Sequence, residues 1–367
     1  MNNIHRAQKH GQSIWLDSIS RDMIRSGKLR EFVDLGVTGI TSNPTIFDKA
    51  IAESDIYDNA LVEYGSDGAD PKTVFERLAI VDIRDAADVL QSVYENAEKR
   101  DGFVSIEVSP TLAHDTAGTV SEARRLWDTI DRPNVMIKVP GTPEGVPAIR
   151  TLTSEGINVN VTLLFSIDAY RAAANAYIEG LSEFAQSGNG TTGSVASVAS
   201  FFVSRVDTSV DNALSEGHEL RGKIGIANAK LAYALFAELF DRNIGGNGSF
   251  FPLHSTGAQV QRPLWASTGV KNPNYPDTLY VDNLMGPDTV NTVPEDTMTA
   301  LLDHGNPGAY LAEGLDEATS QMNALNNAGI SIGKVTDELL EAGINAFAES
   351  FASLLSRIES KLRILTV

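Results

Sequence analysis

Asp17, Glu107, Lys138, Asn160 and Thr162 each stand toward the C-terminal end of a short run that reads as a β-strand. The lysine raises the sharpest question. It lies in "NVMIKVPGTPEG" (134–145), where Val135, Ile137 and Val139 share one face and Asn134, Met136 and Lys138 the other. A buried cation without a partner is costly. Either it snorkels to water, as a lone lysine at a strand end ordinarily does, or it has chemistry to perform. An amine in a water-poor pocket loses its proton more readily and attacks carbonyls. Nearby carboxylates, here Asp17 and Glu107, would move protons during carbinolamine formation and C–C cleavage. Taken singly, those two acids read as helix N-cap or loop residues. Their joint placement with an amine, an amide and a hydroxyl points to an aldolase working through a lysine imine.

Such groups must be brought to one place by the fold. Eight strand-like runs recur: 13–17, 36–43, 103–109, 134–139, 157–165, 194–202, 262–268 and 278–284. Helical stretches lie between them, among them 71–100 opening with Pro71, 119–130, 166–187 with Ser166 as N-cap, and 204–241. Alternation of this kind predicts a parallel sheet, and eight strands predict a closed (β/α)8 TIM barrel, whose active site lies at the C-terminal ends of the strands. Ile157, Val159 and Val161 oppose Asn158, Asn160 and Thr162; Val104, Ile106 and Val108 oppose Phe103, Ser105 and Glu107; Ile14 and Leu16 oppose Ser13, Trp15 and Asp17. The β-branched faces suit a helix layer, and the others become polar toward the mouth. Runs 36–43 and 194–202 show no clear facing. The tail 308–364 reads as two helices parted by "NNAGISIGK". The expectation is one barrel domain over 1–367, with 308–367 as additional C-terminal helices packed on it.

Composition narrows the function. The formal charge of −19 and the lack of any Lys/Arg run argue against a nucleic-acid partner. There is no cysteine, so disulfides, thiolate catalysis and Cys-ligated metals are excluded. The six histidines (His5, His10, His114, His218, His254, His304) show no ligand spacing, so no metal and no cofactor is expected. His114–Asp115 reads as a loop pair, and "GNGTTGS" (188–194) and "GGNGS" (245–249) as turns, not nucleotide loops. "MNNIHRAQKHGQ" lacks the apolar core of a signal peptide, and no window approaches the ~20 apolar residues of a membrane span. The expectation is a cytoplasmic protein, monomer or homodimer, without membrane contact.

Four ordered motifs then carry a resemblance. "GITSNPTIF" (39–47), "MIKVPGTPEG" (136–145), "NVNVTLLFS" (158–166) and "SFFVSRVD" (200–207) resemble the signatures of transaldolases, in the larger bacterial branch of the lysine-imine aldolase superfamily. The resemblance implies sugar-phosphate substrates and transfer of a dihydroxyacetone unit in the pentose phosphate pathway. Sedoheptulose 7-phosphate or fructose 6-phosphate would be the donor, and glyceraldehyde 3-phosphate or erythrose 4-phosphate the acceptor. It gives Lys138 the imine, Glu107 and Thr162 a catalytic water, and Asp17 the proton of the C4 hydroxyl. Asn43 and Asn160 would hold substrate hydroxyls or the intermediate, and Ser200 and Arg205 the phosphate side. There is one departure. Smaller family members carry Ser-x-Arg after the seventh strand, whereas "WASTGVKNPNYPD" (265–277) keeps Ser267 and offers only Lys271 in place of the arginine. Fructose-6-phosphate aldolases, the near relatives, carry Gln at the position of Glu107 and Tyr at that of Phe202, so these two residues favour transfer over simple cleavage. A cleavage enzyme of that kind, and a silent barrel that binds sugar phosphates, are the alternatives.

Overall fold

The computed structural model describes residues 1–52, 54–240 and 248–365. Its centre is a closed barrel of eight parallel strands in sequence order: β1 (Gln12–Leu16), β2 (Gly39–Ile40), β3 (Phe103–Glu107), β4 (Val135–Pro140), β5 (Val159–Leu164), β6 (Ser197–Phe202), β7 (Arg262–Ala266) and β8 (Thr289–Val293). β8 closes on β1, with Trp15 opposite Thr292. This is the expected (β/α)8 barrel with additional C-terminal helices.

The two-faced strands divide the core. Ile14, Leu16, Ile137, Val139 and Val161 pack outward into the layer shared with the helices. Trp15, Phe103, Met136, Val198, Leu264 and Val290 form a second cluster that fills the barrel. Gly39 is needed for that filling, because a Cβ there would lie 2.5 Å from the Trp15 indole. Local chemistry starts the helices as read: Asp70 accepts from Thr73 N ahead of Pro71–Asn96, and Ser166 from Ala169 N ahead of Ile167–Ser187.

Three expectations need correction. The eighth strand is not 278–284, which contains the helix Leu279–Asn283, but Thr289–Val293. In the first of these segments Tyr280 and Val281 are buried because they pack outside the sheet. The stretch 204–241 is two helices, Ser204–Ala213 and Ile224–Leu239, and residue 241 lies outside the described residues. The break holds Gly217 and Gly222, both at positive φ, a conformation that ends a helix. Run 36–43 contracts to the two residues of β2, and 194–202 begins as strand only at Ser197. The turn "GNGTTGS" follows the helix Ile167–Ser187, whose C-cap is Gly188, while residues 245–247 of "GGNGS" lie outside the described residues.

Two helices follow the barrel. Leu315–Asn327 packs against Ile224–Leu239. Ile332–Leu365 packs on the helices Pro44–Ala52, Asp58–Gly65 and Pro71–Asn96 and reaches β5 and Ser204–Ala213. Arg357 pairs with Asp48 at 2.8 Å and Lys361 with Asp58 at 2.9 Å, fixing this helix across the C-terminal end of the barrel.

Candidate active site

At that end a cavity of about 170 Å³ is lined by Asp17, Asn43, Lys138, Thr162, Ser200, Phe202, Arg205, Ser267 and Lys271. Nine of the sequence candidates therefore meet in one place. The other two lie against it. Glu107 is opposite Lys138 in the β3–β4 register, and Asn160 is opposite Lys138 in the β4–β5 register.

β4 delivers Lys138 with its side chain 7 % exposed. Its Nζ donates to the carbonyl oxygen of Ser42 at 3.0 Å and lies 3.6 Å from Glu107 Oε2. Burial pushes the Glu107 carboxyl up from its ordinary value; Lys138 opposes that shift and Asp17 adds to it. Glu107 Oε2 and Thr162 Oγ1 are buried with no hydrogen-bond partner in the protein. Both are therefore able to hold a water or a substrate hydroxyl without losing an existing bond.

Asn160 is wholly buried and held from two sides: its Nδ2 donates to Ser105 Oγ at 3.0 Å, and Ser200 Oγ donates to its Oδ1 at 2.7 Å. Asp17 takes a hydrogen bond from Thr41 Oγ1 at 2.9 Å, and Thr41 Oγ1 is 2.8 Å from Thr292 Oγ1. With the Thr41 proton on Asp17, Thr292 must donate to Thr41, so three strands orient this carboxylate. Asn43 Oδ1 accepts from Ile46 N at 3.0 Å, so "NP" places a capping Asn and then Pro44 as the first helical residue. The cap uses the amide oxygen and leaves the amide N–H groups for another partner.

β5 is irregular here. Its register shifts between Val161 and Leu164, and Leu163 has φ +59°. The bulge reverses the alternation, so Leu163 joins the inner cluster after Thr162, and Leu164 faces outward. Ser267 also has positive φ, +54°. Backbone held in that region by non-glycine residues is characteristic of functional sites. Arg205 lies over the Phe202 ring at 5.2 Å from its centroid. Burial lowers the Arg205 value and Asp17 opposes the shift; a guanidinium stays charged regardless. Lys138, Arg205 and Lys271 thus give the cavity three basic side chains, against Asp17 within it and Glu107 beside it.

Sequence reasoning missed Thr292 and Phe347, which also line the cavity. Thr292 belongs to "TVNTV", a β-branched run between "GPD" and Pro294 that does carry a strand signal. Phe347 comes from the C-terminal helix Ile332–Leu365, and helical spacing alone gave it no link to the site. It arrives because Gly343, one turn earlier, lets that helix approach: a Cβ there would stand 2.9 Å from Leu163 and 3.7 Å from Arg205 Nη1. Among the described residues no cluster of His, Cys, Asp or Glu has the makings of a metal site, and no helix is long and apolar enough to cross a membrane.

The arrangement supplies a buried amine with a carboxylate beside it, a second carboxylate in the same cavity, and two further basic side chains. The profile of the Transaldolase/Fructose-6-phosphate aldolase family matches residues 14–358. The chain is similar to a Thiobacillus denitrificans protein named transaldolase, 47 % identical over 98 % of this chain and 100 % of the relative. A Thermobifida fusca transaldolase is 47 % identical over 96 % of each chain. A Nostoc protein named transaldolase 2 is 44 % identical over 100 % of this chain and 99 % of its own.

Proposed function

The chain belongs to the transaldolase/fructose-6-phosphate aldolase family and is a transaldolase, and from that premise we propose how its residues divide the reaction. The Lys138 amine adds to C2 of the ketose phosphate, sedoheptulose 7-phosphate or fructose 6-phosphate. Loss of water from the carbinolamine leaves an iminium. Glu107 and Thr162 hold the water that relays these protons. Asp17 takes the proton of the C4 hydroxyl, and the C3–C4 bond breaks. Its electron pair moves into the iminium to give an enamine, and the shortened aldose phosphate departs. The enamine then attacks the aldehyde carbon of glyceraldehyde 3-phosphate or erythrose 4-phosphate. Asp17 returns its proton to the new hydroxyl, and hydrolysis of the imine releases the product.

The observation that carries this reading is the placement of Lys138: buried, bonded to a carbonyl oxygen, 3.6 Å from Glu107, and in one cavity with Asp17. Asn43 and Asn160 are assigned to substrate hydroxyls and the intermediate. Ser200, Arg205, Ser267 and Lys271 are assigned to the phosphate side, where Arg205 offers a charge-assisted fork. Phe202 supports transfer over simple cleavage, since an apolar wall keeps proton donors from the enamine. We take the whole chain as one barrel domain acting in the cytoplasm as a monomer or homodimer, which its formal charge of −19 suits.

Borohydride trapping tests the assignment. Reduction in the presence of fructose 6-phosphate should leave one three-carbon unit on the peptide carrying Lys138. Label on another residue, or none, would sink the mechanism.

A further inference from the structure

The loop after β7 carries Ser267 and Lys271, and the helix Ser204–Ala213 carries Arg205 in its first turn. Two buried carboxylates on that helix, Asp207 and Asp211, face the loop. Each is divided in the same way. Tyr275 Oη donates to Asp211 Oδ2 at 2.7 Å, while Gly222 N donates to Asp211 Oδ1 at 3.0 Å. Tyr280 Oη donates to Asp207 Oδ2 at 2.9 Å, while Gly225 N donates to Asp207 Oδ1 at 2.7 Å. Gly222, at φ +69°, lets the Tyr275 ring lie on the backbone, since a Cβ would come within 2.8 Å of it. At its other end the loop is tied to the same helix: Ser204 N donates to Ser267 O at 3.1 Å, and the two hydroxyls are 3.0 Å apart.

Lys271 stands midway between these anchors and is exposed, on a flexible stem. A lysine is a point cation without the planar fork by which an arginine fixes its own geometry. Its position must come from the backbone beneath it. Apolar packing would hold the loop down at lower desolvation cost; a pair of buried carboxylates adds direction. We propose that the Asp211–Tyr275 hydrogen bond, with Asp207–Tyr280 beside it, is a clasp that positions Lys271 over the donor's phosphate. This rests on the reading of the Arg205–Lys271 end as the phosphate side.

The test uses the full-length enzyme with Tyr275→Phe, which keeps the ring on Gly222 and removes only the hydroxyl. Initial rates are compared with fructose 6-phosphate and with fructose as donors. The KM for fructose 6-phosphate should rise about threefold to tenfold, the loss of one hydrogen bond's worth of positioning, with kcat within about twofold. The kcat/KM for fructose should not change. In a Lys271→Met background the same Tyr275→Phe substitution should have no further effect on KM. An unchanged KM in Tyr275→Phe overturns the clasp. So does an equal loss with both donors, which marks Tyr275 as a general fold residue, or an effect that persists without Lys271. A wild-type enzyme with no preference for the phosphorylated donor overturns the phosphate reading itself, and the clasp with it.

Discussion

Glu107 is the residue whose surroundings constrain its chemistry most. Its carboxyl is buried beside one amine, and burial raises its value more than that amine lowers it. A carboxyl displaced upward works as both donor and acceptor nearer neutral pH than a solvated glutamate. If it must be ionised to draw a proton through the water shared with Thr162, the rate rises with pH through the raised value. Glu107→Gln keeps the shape and removes the titration. The expected result is a kcat lower by about 10²-fold, the common worth of a general acid–base group, and the disappearance of the acid limb from the kcat–pH profile. Retention of that limb would assign it elsewhere. Lys138, Glu107 and Asp17 were legible because a strand exposes alternate residues to one face, so polar types on the inner face stand out. Thr41 and Thr292 were less so. Their hydroxyls matter through one chain of hydrogen bonds to Asp17, and that chain exists only once β1, β2 and β8 are side by side.

At the scale of elements, the barrel was readable and its lid was not. Seven of the expected strand runs fall on the observed strands, five containing them whole and two (13–17 and 134–139) displaced by one residue, because β-branched alternation and flanking turns are local signals. The eighth failed because buried Tyr280 and Val281 mimic a strand while belonging to a short helix outside the sheet. The helix Ile332–Leu365 was expected from its apolar spacing, but spacing does not say which neighbour that face meets. The answer is set by Gly343 against Leu163, a contact 180 residues away in sequence. Phe347, 6 % exposed, lines the cavity as a result. A transfer enzyme must keep its enamine from protonation until an acceptor arrives, and a removable wall weakens that. Phe347→Ala should therefore raise the release of free dihydroxyacetone relative to transfer by about tenfold, roughly 1.4 kcal/mol in the partition. Chromatography of products with and without acceptor gives the ratio. Parallel loss of both products would make Phe347 a packing residue only.

The whole molecule carries 48 acidic against 29 basic side chains, so its response to acid is set by the carboxylates that sit away from water. Asp207, 1 % exposed, is displaced from 3.8 up to about 6, chiefly by burial, with Asp211 on its own helix adding to the shift. The backbone N–H groups of Gly225 and Ile224 and the Tyr280 hydroxyl oppose it. The raised value means that the folded state holds this proton more tightly than the unfolded chain does. Its contribution to stability is therefore fully present below about pH 4 and is lost as pH rises through about 6. The displacement corresponds to about 3 kcal/mol in full, of which about 2 kcal/mol falls between pH 4 and pH 7. Asp207→Asn cannot titrate. Glu107 and Asp82, also raised by burial, are common to both proteins and cancel in the comparison. The stability advantage of wild type over Asp207→Asn should thus shrink by about 2 kcal/mol between pH 4 and pH 7, measured by urea unfolding at each pH. A constant difference would mean that Asp207 ionises alike in both states. It would also mean that the hydrogen bonds from Tyr280 and Gly225 fully offset its burial, making the clasp on the β7 loop as stable at neutral pH as in mild acid.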